Sequence, residues 1–326
     1  MDKKVKRIGV LTSGGDAPGM NPAIRAVARS CKFYDIECIG IRRGYSGLIN
    51  GDVLPLDDQS VNGLLIRGGT ILYTARCSEF QTEEGLARAA RSFKYIGLDG
   101  IIAIGGDGTI RGAGDLANCG VPVISIPASI DNDIGCTEYS IGFDTACNTA
   151  IEAIDRLRDT MQSHERCSVV EVMGKRAGHI ATYVGIAVGA TSVLVPEHEL
   201  DLDGDVIEMI RRARLSGRTH YMIIVAEGVG SAVEIAQYVK DHTGMDPRVT
   251  VLGHIQRGGT PTARDRVTAS RMGNYAVRCF VEGKANRAVV THKGEITDID
   301  ILEAVKMEKG LQESMVECLN TLTGTR

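Results

Sequence analysis

The stretch Arg7-Ile-Gly-Val-Leu-Thr-Ser-Gly-Gly-Asp-Ala-Pro-Gly-Met-Asn21 decides the fold. Arg7 to Thr12 is a short apolar run with β-branched residues and reads as a strand. A Gly-rich turn follows, and a helix is expected over Pro22 to Cys31. Strand, glycine turn and helix then recur along the chain. Strand-like runs are Glu37 to Arg42, Gly100 to Ile104, Val121 to Pro127, Ser168 to Met173, Ser192 to Val195, Tyr221 to Ala226 and Arg248 to Leu252. Helices are expected over Glu83 to Tyr95, Arg111 to Asn118, Asp144 to Met161, Asp205 to Leu215 and Ser231 to His242. Apolar strands without alternation belong in mostly parallel sheets covered on both faces, an α/β class. Two sheets are expected. Ligands in such folds sit at the carboxyl ends of the strands.

Length and composition narrow the function. The 326 residues suffice for two domains, and 43% hydrophobic with 24% charged residues is a globular balance. Net charge is −4, so no general basic field invites nucleic acid. Nine cysteines, an odd number without zinc spacing, fit free thiols in a reducing compartment better than disulfides. Met1 leads into Lys3, Lys4, Lys6 and Arg7 rather than a signal-peptide pattern, and no apolar stretch is long enough to span a membrane. The cytoplasm is the expected location.

Three strand ends carry residues fit for phosphate chemistry. Glycines 14, 15 and 19 let backbone N–H groups approach an anion at a helix start, although the segment is neither a P-loop nor a dinucleotide fingerprint. Ile104-Gly-Gly-Asp-Gly-Thr109 repeats that logic and adds Asp107, a carboxylate where a nucleotide-bound Mg²⁺ could sit. Pro127-Ala-Ser-Ile-Asp-Asn-Asp133 holds two acids two residues apart. One can accept a hydroxyl proton while the other holds metal; equally, Asp and Asn are ordinary turn and cap residues. Arg76, Arg166, Lys175, Arg176, Arg248, His254 and Arg257 lie near strand ends or in Gly-rich stretches, and Arg suits bidentate phosphate recognition. His164, His179, His198, His220, His242 and His292 have no ligand spacing.

Together these segments resemble the bacterial ATP-dependent 6-phosphofructokinases. The likeness rests on Gly9 to Asn21, Arg67-Gly-Gly-Thr70, Gly105-Gly-Asp-Gly-Thr109, Ile130-Asp-Asn-Asp-Ile134, Glu152 to Asp159, Val170-Glu-Val-Met-Gly174 and Arg248 to Gly259, in the same order nearly end to end. It implies two Rossmann-like three-layer domains: an ATP-binding one over 1–142 and 257–310, and a sugar-phosphate-binding one over 143–256 and 311–326. It implies a kinase taking ATP and Mg²⁺, with fructose 6-phosphate as acceptor. By the same resemblance Gly15, Tyr45, Arg76, Cys77, Asp107, Gly108, Thr109 and Gly112 line the ATP site, with Asp107 and Asp133 near Mg²⁺. Asp131 is the base acting on the sugar 1-hydroxyl, and Ser129 stands where the family usually has Thr. Met173, Gly174, Lys175, Glu227, His254 and Arg257 hold the sugar phosphate. Arg166 and Arg248 reach it from a neighbouring subunit of a homotetramer.

The chain departs from the pattern at Lys175, where the family usually has Arg; lysine supplies charge without the rigid fork. Gly108 and Ala128 replace the Asp and Lys of pyrophosphate-using relatives, which favours ATP. Arg25, Arg29 and Arg158 match residues that bind ADP or phosphoenolpyruvate in the family, and Arg218 and His220 match in part. Asp58, Thr191, Ser216 and Thr219 depart from it, so weakened allosteric control is expected. The rival readings are a non-catalytic or regulatory subunit, a pyrophosphate-dependent enzyme and a dinucleotide-dependent oxidoreductase, the last lacking its glycine fingerprint.

Overall fold

The computed structural model describes residues 5–324. Lys3 and Lys4 of the leading charged segment lie outside the described residues. In chain order the elements are β1 (Arg7–Ser13), α1 (Met20–Phe33), β2 (Glu37–Ile41), α2 (Gly44–Asn50), β3 (Val53–Pro55), α3 (Glu83–Ile96), β4 (Gly100–Gly105), α4 (Asp107–Asn118), β5 (Val123–Pro127) and α5 (Phe143–His164). Next come β6 (Cys167–Val172), α6 (His179–Val188), β7 (Ser192–Leu194), α7 (Met209–Leu215), β8 (Tyr221–Ala226), α8 (Ala232–Thr243) and β9 (Arg248–Val251). The chain ends with α9 (Ala263–Val281), β10 (Arg287–His292), β11 (Glu295–Asp300), α10 (Ile301–Ala304) and α11 (Glu313–Thr323).

Two compact units emerge. The first runs to Thr145 and takes in Arg257–Lys309; the second comprises Ala146–Gln256 and the residues from Gly310 onward. The sheet of the first unit has the order β11-β10-β5-β4-β1-β2-β3, parallel except at its edges, where β3 and β11 run antiparallel to their neighbours. The second has β7-β8-β6-β9, all parallel. The α/β class with mostly parallel sheets, expected from the apolar runs, is the one observed. Every residue of β4, β5 and β8 is buried. Ile101, Ile102, Ile104 and Ile124 are wholly enclosed, and burial of each such side chain is worth about 1.5–3 kcal/mol.

Register is what positions the chemistry. Ser13 pairs with Gly105, and Gly105 with Pro127, so β1, β4 and β5 end level with one another. The loops that follow them leave the sheet side by side. In the second unit Val172 pairs with Ala226 and Glu171 with Val251, which levels β6, β8 and β9 in the same way.

Two helices differ from expectation. α4 starts at Asp107, four residues before Arg111, because Gly106 caps it in an extended conformation (φ −79°, ψ −169°). Asp107, Gly108 and Thr109 are therefore its first turn, where unpaired N–H groups gather. The helix expected from Asp205 opens instead as a π-helical turn, Asp203–Glu208, before α7. Among the described residues no helix is long and apolar enough to cross a membrane. None of the nine cysteines forms a disulfide.

Candidate active site

In the first unit three loops converge. A Cβ on Gly14 would stand 3.5 Å from Thr109 Oγ1, and one on Gly106 would stand 3.9 Å from both Ala128 O and Ser129 Cβ. Gly105 has no room at all, with Ser13 O at 2.3 Å from such a Cβ and Thr109 Oγ1 at 2.4 Å. Gly108, by contrast, opens on free space. Arg257 lies on the first loop: its Nη1 donates to Asp16 O at 3.2 Å and would meet a Cβ on Gly15 at 2.6 Å. Thr74 Oγ1 donates to Gly14 O at 2.5 Å, which brings the segment carrying Arg76 and Cys77 to the same loop.

Tyr45 lies beneath rather than on the surface. It is 5% exposed, stacks on Phe80 with centroids 4.0 Å apart, and its hydroxyl donates to Thr109 O at 2.5 Å. Burial, with Asp115 adding to it, pushes its phenol above the usual range. Gly112 must be glycine for this stack, since a Cβ there would meet the Tyr45 ring at 2.8 Å and Phe80 at 2.9 Å. The aromatic pair thus sets the height of the α4 N-terminus.

The turn after β5 carries Asp131, which is 7% exposed. Its backbone N–H donates to Ser129 Oγ at 3.2 Å, and that hydroxyl donates to Asp131 Oδ2 at 3.4 Å. Asn132 occupies the left-handed region (φ 53°), as Asn tolerates, and its Oδ1 accepts from Ser140 N at 3.0 Å. Turn chemistry and a placed carboxylate coexist here.

Asp107, half exposed, pairs with Arg111 at 2.8 Å. Asp107 and Lys309 both act on the Cys136 thiol, raised to about 11 chiefly by burial, and Asp133 acts on Lys309. The loop before α4 also abuts the turn that leads to Asp133, since a Cβ on Gly106 would stand 3.9 Å from Ala128 O and Ser129 Cβ. No group of three or more His, Cys, Asp or Glu side chains suited to a metal occurs among the described residues. Asp107 at the start of α4 and Asp133 in the turn after β5 are nonetheless the oxygen ligands that suit Mg²⁺, which keeps waters and phosphate oxygens as its other ligands. Lys309, unread in the sequence, donates to Thr137 O at 2.9 Å and Glu138 O at 3.0 Å, and burial lowers its pKa to about 8 against the opposing pull of Asp133.

The second unit builds a separate cradle at the ends of β6, β8 and β9. Glu227 Oε1 accepts from Gly174 N at 3.2 Å and Lys175 N at 2.6 Å. Lys175 is exposed and left-handed (φ 59°). Gln256, fully buried and not read from the sequence, accepts the Met173 N–H at 2.8 Å. His254 is exposed in the 3₁₀ turn Gly253–Arg257. Arg248 pairs with Asp246 at 3.3 Å, and Lys240, Arg248 and Arg166 together hold the Asp246 carboxyl below its usual range, Lys240 foremost. Arg248 pairs in register with Ser168, two residues after Arg166.

The residues matched to an effector site fall on separate elements. Arg25 and Arg29 lie on α1; Arg29 pairs with Asp58 at 2.9 Å, and Lys32 also pairs with Asp58. Arg158, on α5, donates to Val188 O at the end of α6. Arg218 and His220 lie in the loop before β8. Thr191 is buried and its hydroxyl accepts from Met222 N at 3.1 Å.

Comparison with known proteins agrees with this geometry. A family model described as "Phosphofructokinase" matches residues 7–280. An "ATP-dependent 6-phosphofructokinase" of Clostridium botulinum (strain Loch Maree / Type A3) is 49% identical over 319 residues, which is 98% of this chain and 100% of that protein. The structure of phosphofructokinase from Saccharomyces cerevisiae superposes with a TM-score of 0.86 at 32% identity, over 98% of this chain and 47% of that one. A pyrophosphate-dependent phosphofructokinase from Marinobacter aquaeolei has a TM-score of 0.86 at 20% identity, over 98% of this chain and 92% of that one, a likeness of fold alone.

Proposed function

The chain belongs to the phosphofructokinase family, and from that premise we propose that it transfers the γ-phosphoryl group of ATP to the 1-hydroxyl of D-fructose 6-phosphate, giving fructose 1,6-bisphosphate and ADP. The observation that carries this is the level ending of β1, β4 and β5, which sets two glycine-lined loops beside the Asp131 turn. Glycines and the α4 N-terminus supply N–H groups to nucleotide phosphates. Asp131, oriented by Ser129, takes the proton from the sugar hydroxyl as that oxygen attacks the γ-phosphorus and the bond to the β-phosphate oxygen breaks. Asp107 and Asp133 would hold Mg²⁺, whose charge offsets that of the phosphates. Lys175 supplies a cation to the equatorial oxygens.

In this reading the first unit binds ATP and the second the sugar phosphate, through Met173, Gly174, Glu227 and His254, and Arg257 is a further cation for the sugar phosphate. Arg166 and Arg248 are exposed at the paired starts of β6 and β9, as a phosphate clamp offered to a neighbouring subunit of a tetramer requires. The space at Gly108 supports ATP over pyrophosphate, since a larger donor needs room past the γ-phosphate. Free cysteines fit the reducing cytoplasm. Replacing Asp131 by Asn, with steady-state rates measured at saturating substrates, should lower kcat about 10³-fold while both KM values change little, as for loss of a general base. A variant that keeps wild-type turnover would refute the role.

A further inference from the structure

Asp265 is wholly buried at the start of α9, and its carboxylate takes four hydrogen bonds. Oδ1 accepts from the Tyr139 hydroxyl at 2.5 Å and Gly142 N at 2.7 Å. Oδ2 accepts from Thr145 N at 2.9 Å and the Thr145 hydroxyl at 2.5 Å. Thr262 caps α9 and donates its own N–H to Thr145 Oγ1 at 3.1 Å. One anion in the first turn of α9 thus holds the N-terminus of α5. Burial raises its pKa and the donors oppose that, so the site is built around a charge that would otherwise be costly.

The segment it grips is the one that laces the catalytic turn. Ser129 N donates to Ile141 O at 3.0 Å, and Ile141 N to Pro127 O at 3.2 Å. The Ser140 hydroxyl donates to Ser129 O at 2.7 Å, and Ser140 N to Asn132 Oδ1 at 3.0 Å. The first phosphate loop rests on the same place: a Cβ on Gly19 would meet Ile141 Cγ2 at 2.4 Å and Asp265 Cβ at 3.7 Å. A helix cap alone needs one oxygen and one or two donors. This carboxylate uses both oxygens, two of its donors come from outside α5, and it sits beneath the strap that fixes residues 127–132.

We propose that Asp265 is a positioning residue for phosphoryl transfer, holding the 139–142 strap so that the Asp131 turn and the first glycine loop keep their mutual register. The proposal rests on the function argued above and deepens it. Asn in its place presents an amide NH₂ where one oxygen must accept, so the strap loosens without losing volume. The test compares Asp265→Asn with Asp298→Asn; the Asp298 carboxylate, on β11, accepts from Tyr275 of α9 and Arg287 of β10 and makes no bond to the 139–142 strap. Below the unfolding temperature, Asp265→Asn should lose about 10–100-fold in kcat with the KM for ATP nearly unchanged, as misplacement by about 1 Å costs. Amide exchange at Ser129 and Ile141 should quicken at least about tenfold. Asp298→Asn should lose stability yet keep kcat and the protection of both amides. Tyr139→Phe, which removes one donor, should move the same readouts less, and it serves if Asp265→Asn does not fold. Unchanged kcat and unchanged exchange in either folded variant overturn the proposal. Should the wild type fail to turn over ATP and fructose 6-phosphate, the functional reading falls, and the exchange measurement alone still decides whether Asp265 holds the turn.

Discussion

Lys175 concentrates the chain's most unusual chemistry in one side chain. It holds a left-handed backbone that costs a non-glycine residue about 1–3 kcal/mol, and the Glu227 carboxylate secures it through two backbone N–H groups. Such a peptide is placed deliberately, which fits a cation aimed at a transferring phosphoryl group. An ammonium neutralises charge but cannot bind two oxygens in a plane. Lys175→Arg should therefore raise kcat, by roughly 3–10-fold, with the KM for fructose 6-phosphate nearly constant. No gain in turnover would count against a transition-state role. At this scale the sequence was informative only locally. The segment Ser129 to Asp133 was legible both as a turn and as an acid pair, because each reading rests on residues next to one another in the chain. Ser140, Asp265 and Lys309 did not read as parts of the site, because their links to it span from 8 to 172 residues.

Among the elements, β6 offers a test of how dry the second sheet is. Cys167 is 1% exposed, and burial alone raises its thiol to about 12. The unfolded thiol ionises near its ordinary value, so the unfolded chain loses the proton first. Stability from this group is complete below about pH 9 and falls as pH climbs toward 12, by about 1.4 kcal/mol per unit. The unfolding free energy of the wild type relative to Cys167→Ala should shrink at that rate above pH 9; a constant difference would contradict a dry β6. The buried parallel strands β1, β4, β5, β6 and β8 were legible because they are predominantly apolar, whereas β3, β10 and β11 were not read. Nor was α9. Its sequence ARDRVTASRMGNYAVRCFV spreads four arginines along the helix, and Ala269, Gly273 and Ala276 interrupt the buried face that Met272, Val277 and Phe280 form. Gly273 shows how close the approach is: a Cβ there would stand 2.7 Å from Ala26 Cβ on α1. Glycine and alanine in that face weaken the hydrophobic period. The early start of α4 was hidden for a related reason, since Gly106 and Gly108 look like loop until the cap forms.

For the molecule as a whole, the two-sheet α/β architecture and the family were both readable from the order of the glycine-rich strand ends. Regulation is where this chain is expected to part from its resemblance. Arg29 and Lys32 are neutralised by Asp58 within the first unit, Arg158 is spent on a helix-end carbonyl, and Thr191 is sealed in the second sheet. Cations already paired bind an incoming phosphate weakly. The fructose 6-phosphate saturation curve should therefore stay near hyperbolic, and phosphoenolpyruvate or ADP should shift its midpoint by less than about threefold, below the range of ordinary allosteric coupling. A sigmoidal curve displaced strongly by phosphoenolpyruvate would refute this. The central claim is that the glycine-lined strand ends and the Asp131 turn form an ATP-using sugar-phosphate kinase site. Its most direct test is the rate of fructose 1,6-bisphosphate formation from fructose 6-phosphate and Mg²⁺, with ATP and with pyrophosphate as alternative donors. The account predicts turnover with ATP, at a kcat on the order of 1–100 s⁻¹, and at least about 100-fold less with pyrophosphate, the discrimination expected where binding contacts separate two donors. Absence of product with ATP, or a preference for pyrophosphate, would contradict it.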